Sequence, residues 1–84
     1  MWIRYNEGGD LQSINTDQCT KINLVSGVIE FRGQEILDEE NDCVLSFVDI
    51  LEFDTEDIAR GVFSQIFSSI DIGVKIFHVE GNKQ

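Results

Sequence analysis

Lys21-Ile22-Asn23-Leu24-Val25-Ser26-Gly27-Val28-Ile29-Glu30-Phe31-Arg32 is the stretch on which the fold turns. Ile22 and Leu24 alternate with Lys21 and Asn23, and past Ser26-Gly27 the pair Ile29 and Phe31 alternates with Glu30 and Arg32. A period of two sends successive side chains to opposite faces, so each run reads as a strand with one dry face. Two such runs joined by two turn-prone residues predict a β-hairpin, 19–25 with 28–32.

Working outward, residues 2–6 read as a short strand closed by the turn signal Glu7-Gly8-Gly9-Asp10, and 11–15 as a second strand or an extended return. Gly33-Gln34 suits a second tight turn, because glycine at the first central position favours type II′. Residues 35–37 then continue as a strand, followed by the acidic loop Asp38-Glu39-Glu40-Asn41-Asp42.

The segment 43–53 supports two readings. As a strand it lines up Leu45, Phe47, Leu51 and Phe53, together with Asp49. As a helix it makes a stripe of Val44, Phe47, Val48 and Leu51, capped by Asn41 or Asp42. Its β-branched and aromatic residues favour the strand.

A helix over about 55–69 is marked by Asp54 or Thr55 as cap, with Glu56 and Asp57 in the first turn, where the macrodipole favours acids. Ile58, Val62, Ile66 and Ile70, with Ala59, Phe63 and Phe67 alongside, give it a wide apolar stripe. Gly61 costs about 1 kcal/mol against alanine in a helix and suggests a close crossing of a strand. A last strand over 72–79 puts Ile72, Val74 and Ile76 on the core side. Phe77 and Val79 then form an outward apolar patch usable for a homodimer, and 81–84 read as a frayed tail. The expected fold is α+β: one domain (1–84), a mostly antiparallel sheet of five to six strands, and the helix packed on one face.

Composition bounds the function. The 84 residues bury about 60–65% of the unfolded surface, a core too small to enclose a large pocket as well. No uninterrupted apolar run exceeds three residues, so the chain offers no membrane span, and the start Met1-Trp2-Ile3-Arg4 lacks a secretory core. Cys19 and Cys43 have no metal-like spacing and read as reduced thiols, which with the missing leader points to the cytoplasm of a bacterium or an infected host cell.

The formal charge of −10 is local. Glu35, Asp38, Glu39, Glu40, Asp42, Asp49, Glu52, Asp54, Glu56 and Asp57 fall between Arg32 and Arg60 with no base among them, and the rest of the chain is neutral. Such a block repels phosphates, which argues against direct nucleic-acid binding, and it attracts a basic protein surface. As a calcium loop, 38–49 has Cys43 where glycine is needed and Asp49 where a bidentate glutamate is needed, so no metal or other cofactor is expected. His78 stands alone, and no nucleophile has a recognisable base beside it, so no catalytic residues are assigned. Trp2, Tyr5 and the phenylalanines read as packing residues. Glu35, Asp38, Glu39, Glu40, Asp42, Asp49 and Glu52 are the candidate partner-binding residues.

The strand Trp2-Ile3-Arg4-Tyr5 and the helix start Phe53-Asp54-Thr55-Glu56-Asp57 resemble those of small bacterial and phage proteins with a β-meander and a helix. In size and charge the chain is similar to acidic phage inhibitors of the anti-CRISPR and anti-restriction type. The resemblance implies a non-enzymatic inhibitor that docks its acidic face on a nucleic-acid-binding surface of a larger protein. The alternative is an immunity or adaptor protein that recognises one enzyme by shape, or a homodimeric regulatory domain.

Overall fold

In the computed structural model, the backbone of residues 1–84 and the side chains of all of them except 44 and 45 are described. The hairpin forms where the alternation places it. β3 (Cys19–Val25) and β4 (Val28–Gly33) pair antiparallel, with Ile22 opposite Phe31 and Leu24 opposite Ile29. Ser26 enters the left-handed region (φ 55) to close the turn. β7 (Val48–Glu52) adds to the other side of β4, setting Leu51 opposite Ile29 and Asp49 opposite Phe31. The sheet order is β3-β4-β7.

A second sheet has the order β2-β1-β8. β1 (Trp2–Glu7) and β2 (Asp10–Asn15) form a hairpin around Gly8 and Gly9, whose φ values of 59° and 87° suit glycine. β8 (Ile76–His78) runs parallel to β1, with Phe77 opposite Ile3. A short 3₁₀ turn, Thr16–Gln18, carries the chain from β2 into β3.

The inward residues of both sheets share one buried cluster. Ile3, Tyr5 and Ile14 meet Ile29, Phe31, Leu51 and Phe53, with Ala59, Ile66 and Val79 completing it. α1 (Glu56–Asp71) lies against β3 and β4 and contributes Ala59 and Ile66, both fully buried, with Val62 and Phe63 packed beside them. Its cap is Thr55, whose hydroxyl accepts a hydrogen bond from the Ile58 N–H at 3.2 Å. Among the described residues β5 (Ile36–Asp38) and β6 (Cys43–Leu45) pair only with each other, as a two-stranded arm.

The α+β class and the helix agree with the sequence reading, whereas the sheet does not remain single. The 3₁₀ turn separates the two hairpins into different sheets, and one pairing, β1 with β8, is parallel. The segment 43–53 is extended but broken at Ser46 and Phe47, so β6 and β7 belong to different ladders. Leu51 and Phe53 are buried as a strand face requires, but Phe47 is 40% exposed, and the side chain of Leu45 lies outside the described residues.

Gly33-Gln34 is not a tight turn. Gly33 remains in β4, donates its N–H to the Phe47 carbonyl at 3.0 Å, and lies under the Phe47 ring. At the chain's end the faces are reversed: Ile72 follows the helix and is 79% exposed, while Phe77 and Val79 join the core. Because Ile3 points inward, its ladder partner Phe77 must do so as well, which removes the outward patch expected there. Trp2, on the other side of β1, is 48% exposed rather than packed. The tail is tied down: Asn82 bridges to Phe53, its side chain donates to the Asn6 carbonyl at 2.9 Å, and the Lys83 N–H bonds the Glu52 carbonyl at 2.7 Å.

Gly61 makes no close crossing, for a Cβ there would have nothing within 4 Å. Two glycine substitutions should therefore have opposite signs. Gly61→Ala is expected to raise stability by about 0.5–1 kcal/mol. Gly33→Ala would place its Cβ 2.1 Å from the Phe47 ring and should cost about 1–3 kcal/mol as the ring is displaced. Urea denaturation of both variants checks this, and a stabilised Gly33→Ala would contradict the described packing.

Candidate functional site: an acidic two-stranded arm

The arm begins where Gly33 leaves the sheet and ends where Phe47 returns to it. β5 and β6 are held by three residue pairs, Ile36 with Leu45, Leu37 with Val44, and Asp38 with Cys43. The tip is folded by Asp38, whose Oδ1 accepts from the Glu40 N–H at 3.1 Å and whose Oδ2 accepts from the Asn41 Nδ2 at 2.7 Å. An aspartate that bonds the backbone two residues on is a standard turn former. Asp42 then takes the left-handed conformation (φ 51) that a short polar side chain tolerates. The bond from Asn41, helped by the Asn41 and Glu40 backbone N–H groups, holds the Asp38 carboxyl below its ordinary range.

The ten acids divide by location, with Asp54 exposed just ahead of the helix cap. Glu35, Glu39, Glu40 and Asp42 are exposed on the arm, and among the described residues no base lies within ion-pair distance of them. Glu35 shares a cleft of about 380 Å³ at the arm's base with Lys21 and Arg32. Arg32 is engaged by Glu30, a bond that keeps the Glu30 carboxyl below and the Arg32 guanidinium above their ordinary values. At the helix start, Glu56 pairs with Arg60 at 2.8 Å and Asp57 approaches the same guanidinium at 3.9 Å.

Asp49 does not join the arm. It stands opposite Phe31 on the core side of β7 and is half-buried. From there its charge adds to burial in raising the pKa of Tyr5 and Cys19. Glu52 is exposed at the far end of β7, beside the pinned tail. Of the seven candidate residues, five therefore sit on or at the base of the arm, and two lie elsewhere.

What the charge count does not reveal is the arm's apolar content. Ile36 is 61% exposed and Leu37 62% exposed. Adjacent strand residues point to opposite faces, so both faces of the ribbon present aliphatic surface to water. The signal in the sequence is the absence of alternation at Ile36-Leu37.

The other reactive groups are dispersed. Cys19 is partly buried, directs its thiol to the Asn15 carbonyl at 3.6 Å, and has its thiolate disfavoured by burial and by Asp49. Cys43 is an exposed free thiol on β6, and His78 is exposed at the end of β8. Among the described residues no group of three or more His, Cys, Asp and Glu is placed to hold a metal ion. Among the described residues no helix is long and apolar enough to cross a membrane.

No family model matches the chain, and no curated protein or solved structure matches it at a significant level. The arm's geometry therefore carries the functional reading on its own.

Because Asp38 titrates below its ordinary value of 3.8, its contribution to tip order is complete above that pH. The contribution is lost as pH falls through the lower, folded-state value. Asn41→Ala should return the Asp38 midpoint toward 3.8 in a carboxyl NMR titration. An unmoved midpoint would show that the tip bonds are not its cause.

Proposed function

We propose that this chain is a small, non-enzymatic acidic binding protein, an inhibitor of the phage anti-defence type. It docks its arm on a basic, nucleic-acid-binding surface of a larger protein and blocks that surface by charge competition. The observation that carries this reading is the cluster of exposed carboxylates on the ribbon's tip, Glu39, Glu40 and Asp42, none within ion-pair distance of a base among the described residues, with Glu35 at the ribbon's base near Lys21 and Arg32. A structural acid is expected to find a partner, as Asp38, Glu56 and Asp57 do.

The acids are not an alternating strand row: Glu35 precedes β5, and Glu39, Glu40 and Asp42 crowd the turn at the tip, so the arm presents a compact cluster of negative charge. A cluster of Lys and Arg that binds phosphates can accept such a tip by charge complementarity. Exposed charges of this kind speed and select an encounter more than they tighten the final complex. Ile36 and Leu37 supply apolar surface beside the acids, which adds an attraction that salt does not screen.

A second reading, recognition of one enzyme by shape, draws on a different place. Trp2 and Ile76 are ladder neighbours and both are exposed, close in sequence to exposed Ile72. Trp2 and Lys75 line a shallow cleft of about 420 Å³ with Ile70 and Val74. A half-exposed tryptophan in such a setting is a common interface anchor.

The two readings separate by mutation and by salt. Replacing Glu35, Glu39, Glu40 and Asp42 by their amides should abolish displacement of duplex DNA from the partner, whereas Trp2→Ala leaves it intact. Displacement by the unaltered chain should weaken steeply between low and high salt, as exposed charges become screened within about 10 Å at 0.1 M. Displacement that ignores both the amide variant and salt, yet is lost in Trp2→Ala, would assign the function to shape instead.

A further inference from the structure

We propose that the arm takes its partner by strand addition. An extended segment with cationic ends and an aliphatic centre pairs with the free edge of β5 and covers Ile36 and Leu37. This rests on the reading above that the arm meets a basic protein surface, and it specifies how.

The arm is an incomplete sheet. Among the described residues β5 and β6 bond to each other and to no other strand, so the few outward backbone groups of these three-residue strands have no ladder partner. A two-stranded ribbon is marginal in water by itself, and a third strand is the usual remedy. An unpaired edge is a template for another chain, and shortness and charge restrict it to occupants that match it. Here the edge of β5 is short and carries Ile36 and Leu37, both more than 60% exposed, on opposite faces. A strand laid along it would satisfy the edge and shield aliphatic surface on both faces at once.

The charges select the occupant. Glu35 precedes β5, and Glu39 and Glu40 follow it, with no base between Arg32 and Arg60. A second copy of the chain would set like charges against one another across the new ladder, which is destabilising. Nucleic acid is repelled for the same reason. A segment with Lys or Arg near each end meets Glu39 and Glu40 at one end and Glu35 at the other. Glu35 lies in one cleft with Lys21 and Arg32, so the tip end supplies most of the selection. The segment's aliphatic centre lies against Ile36 and Leu37. The side chains supply selectivity, and the backbone ladder supplies an affinity that does not depend on salt.

The test uses the whole chain and three synthetic peptides. The first is Lys-Lys-Val-Ile-Val-Lys-Lys. The second has the same sequence with alternate backbone nitrogens methylated, so that charge is kept and strand pairing is blocked. The third carries Glu in place of every Lys. Amide hydrogen exchange at residues 36–38 and titration by NMR are the readouts. The first peptide should bind and protect β5 amides, the second should bind about tenfold more weakly without protecting them, and the third should not bind. The double variant Ile36→Ser/Leu37→Ser changes two exposed side chains, so it should keep the fold and bind the first peptide several-fold more weakly.

Equal binding of the methylated peptide would overturn strand addition while leaving charge docking intact. Equal binding of the glutamate peptide, or no binding of any peptide, would remove the acidic-arm reading itself. Protection of β5 that rises with protein concentration and without peptide would overturn the proposal by giving the edge to a second copy.

Discussion

Ile29 and Phe31, both fully buried on β4, are where the two sheets and the helix come together. Neither three-stranded sheet has an apolar face that could remain dry alone, and the 16-residue helix has a stripe that needs a cover. Each large side chain removed from water contributes about 1.5–3 kcal/mol, and the largest fully buried ones are Phe31, Ile3, Ile29, Leu51 and Ile66. They come from β4, β1, β7 and α1, so removing one element uncovers the others. A domain of this size has little stability to spare, and the shared cluster makes its parts interdependent.

That dependence also determines which acids remain available. The face of β7 that supplies Leu51 to the core carries Asp49 with it, so this carboxylate acts inward on Tyr5 and Cys19. The helix that supplies Ala59 and Ile66 must start somewhere, and Glu56 and Asp57 occupy its first turn beside Arg60. What the core and the helix do not use is the excursion between β4 and β7. Gly33, covered by the Phe47 ring and bonded to the Phe47 backbone, closes the base of that excursion. The arm is thus a surface module held by a small, specific closure.

The central hairpin, the first hairpin and the helix were legible because alternation, paired glycines and a capped four-residue recurrence are local signals. The pairing of β8 with β1 was not, since nothing near Ile76 names a partner so far away. The same gap reversed the assignment at the chain's end. Both Ile76 and Phe77 are apolar, so period alone separates the two faces without saying which is dry, and only the register against Ile3 decides it. Gly33 illustrates a different ambiguity. Glycine marks a turn or a close approach with equal ease, and here it makes room for an aromatic ring contributed by Phe47. For the arm, the run Glu35 to Asp42 was visible as charge, whereas the exposure of Ile36 and Leu37 depends on a ribbon that joins neither sheet.

The parallel strand has a consequence for how the chain reaches this state. The Asn82 amide meets the Asn6 carbonyl across 76 residues, and β8 locks against β1 at the same end of the order. Hairpins close within microseconds, but a contact of that span must first overcome the entropy of a very long loop. That closure spans nearly the whole chain, and without it Ile3, Tyr5 and Ile14 lack part of their cover. Chains with that closure open meet one another carrying ten surplus negative charges each. The charge that shapes the surface is thus also a colloidal barrier that keeps such open molecules apart.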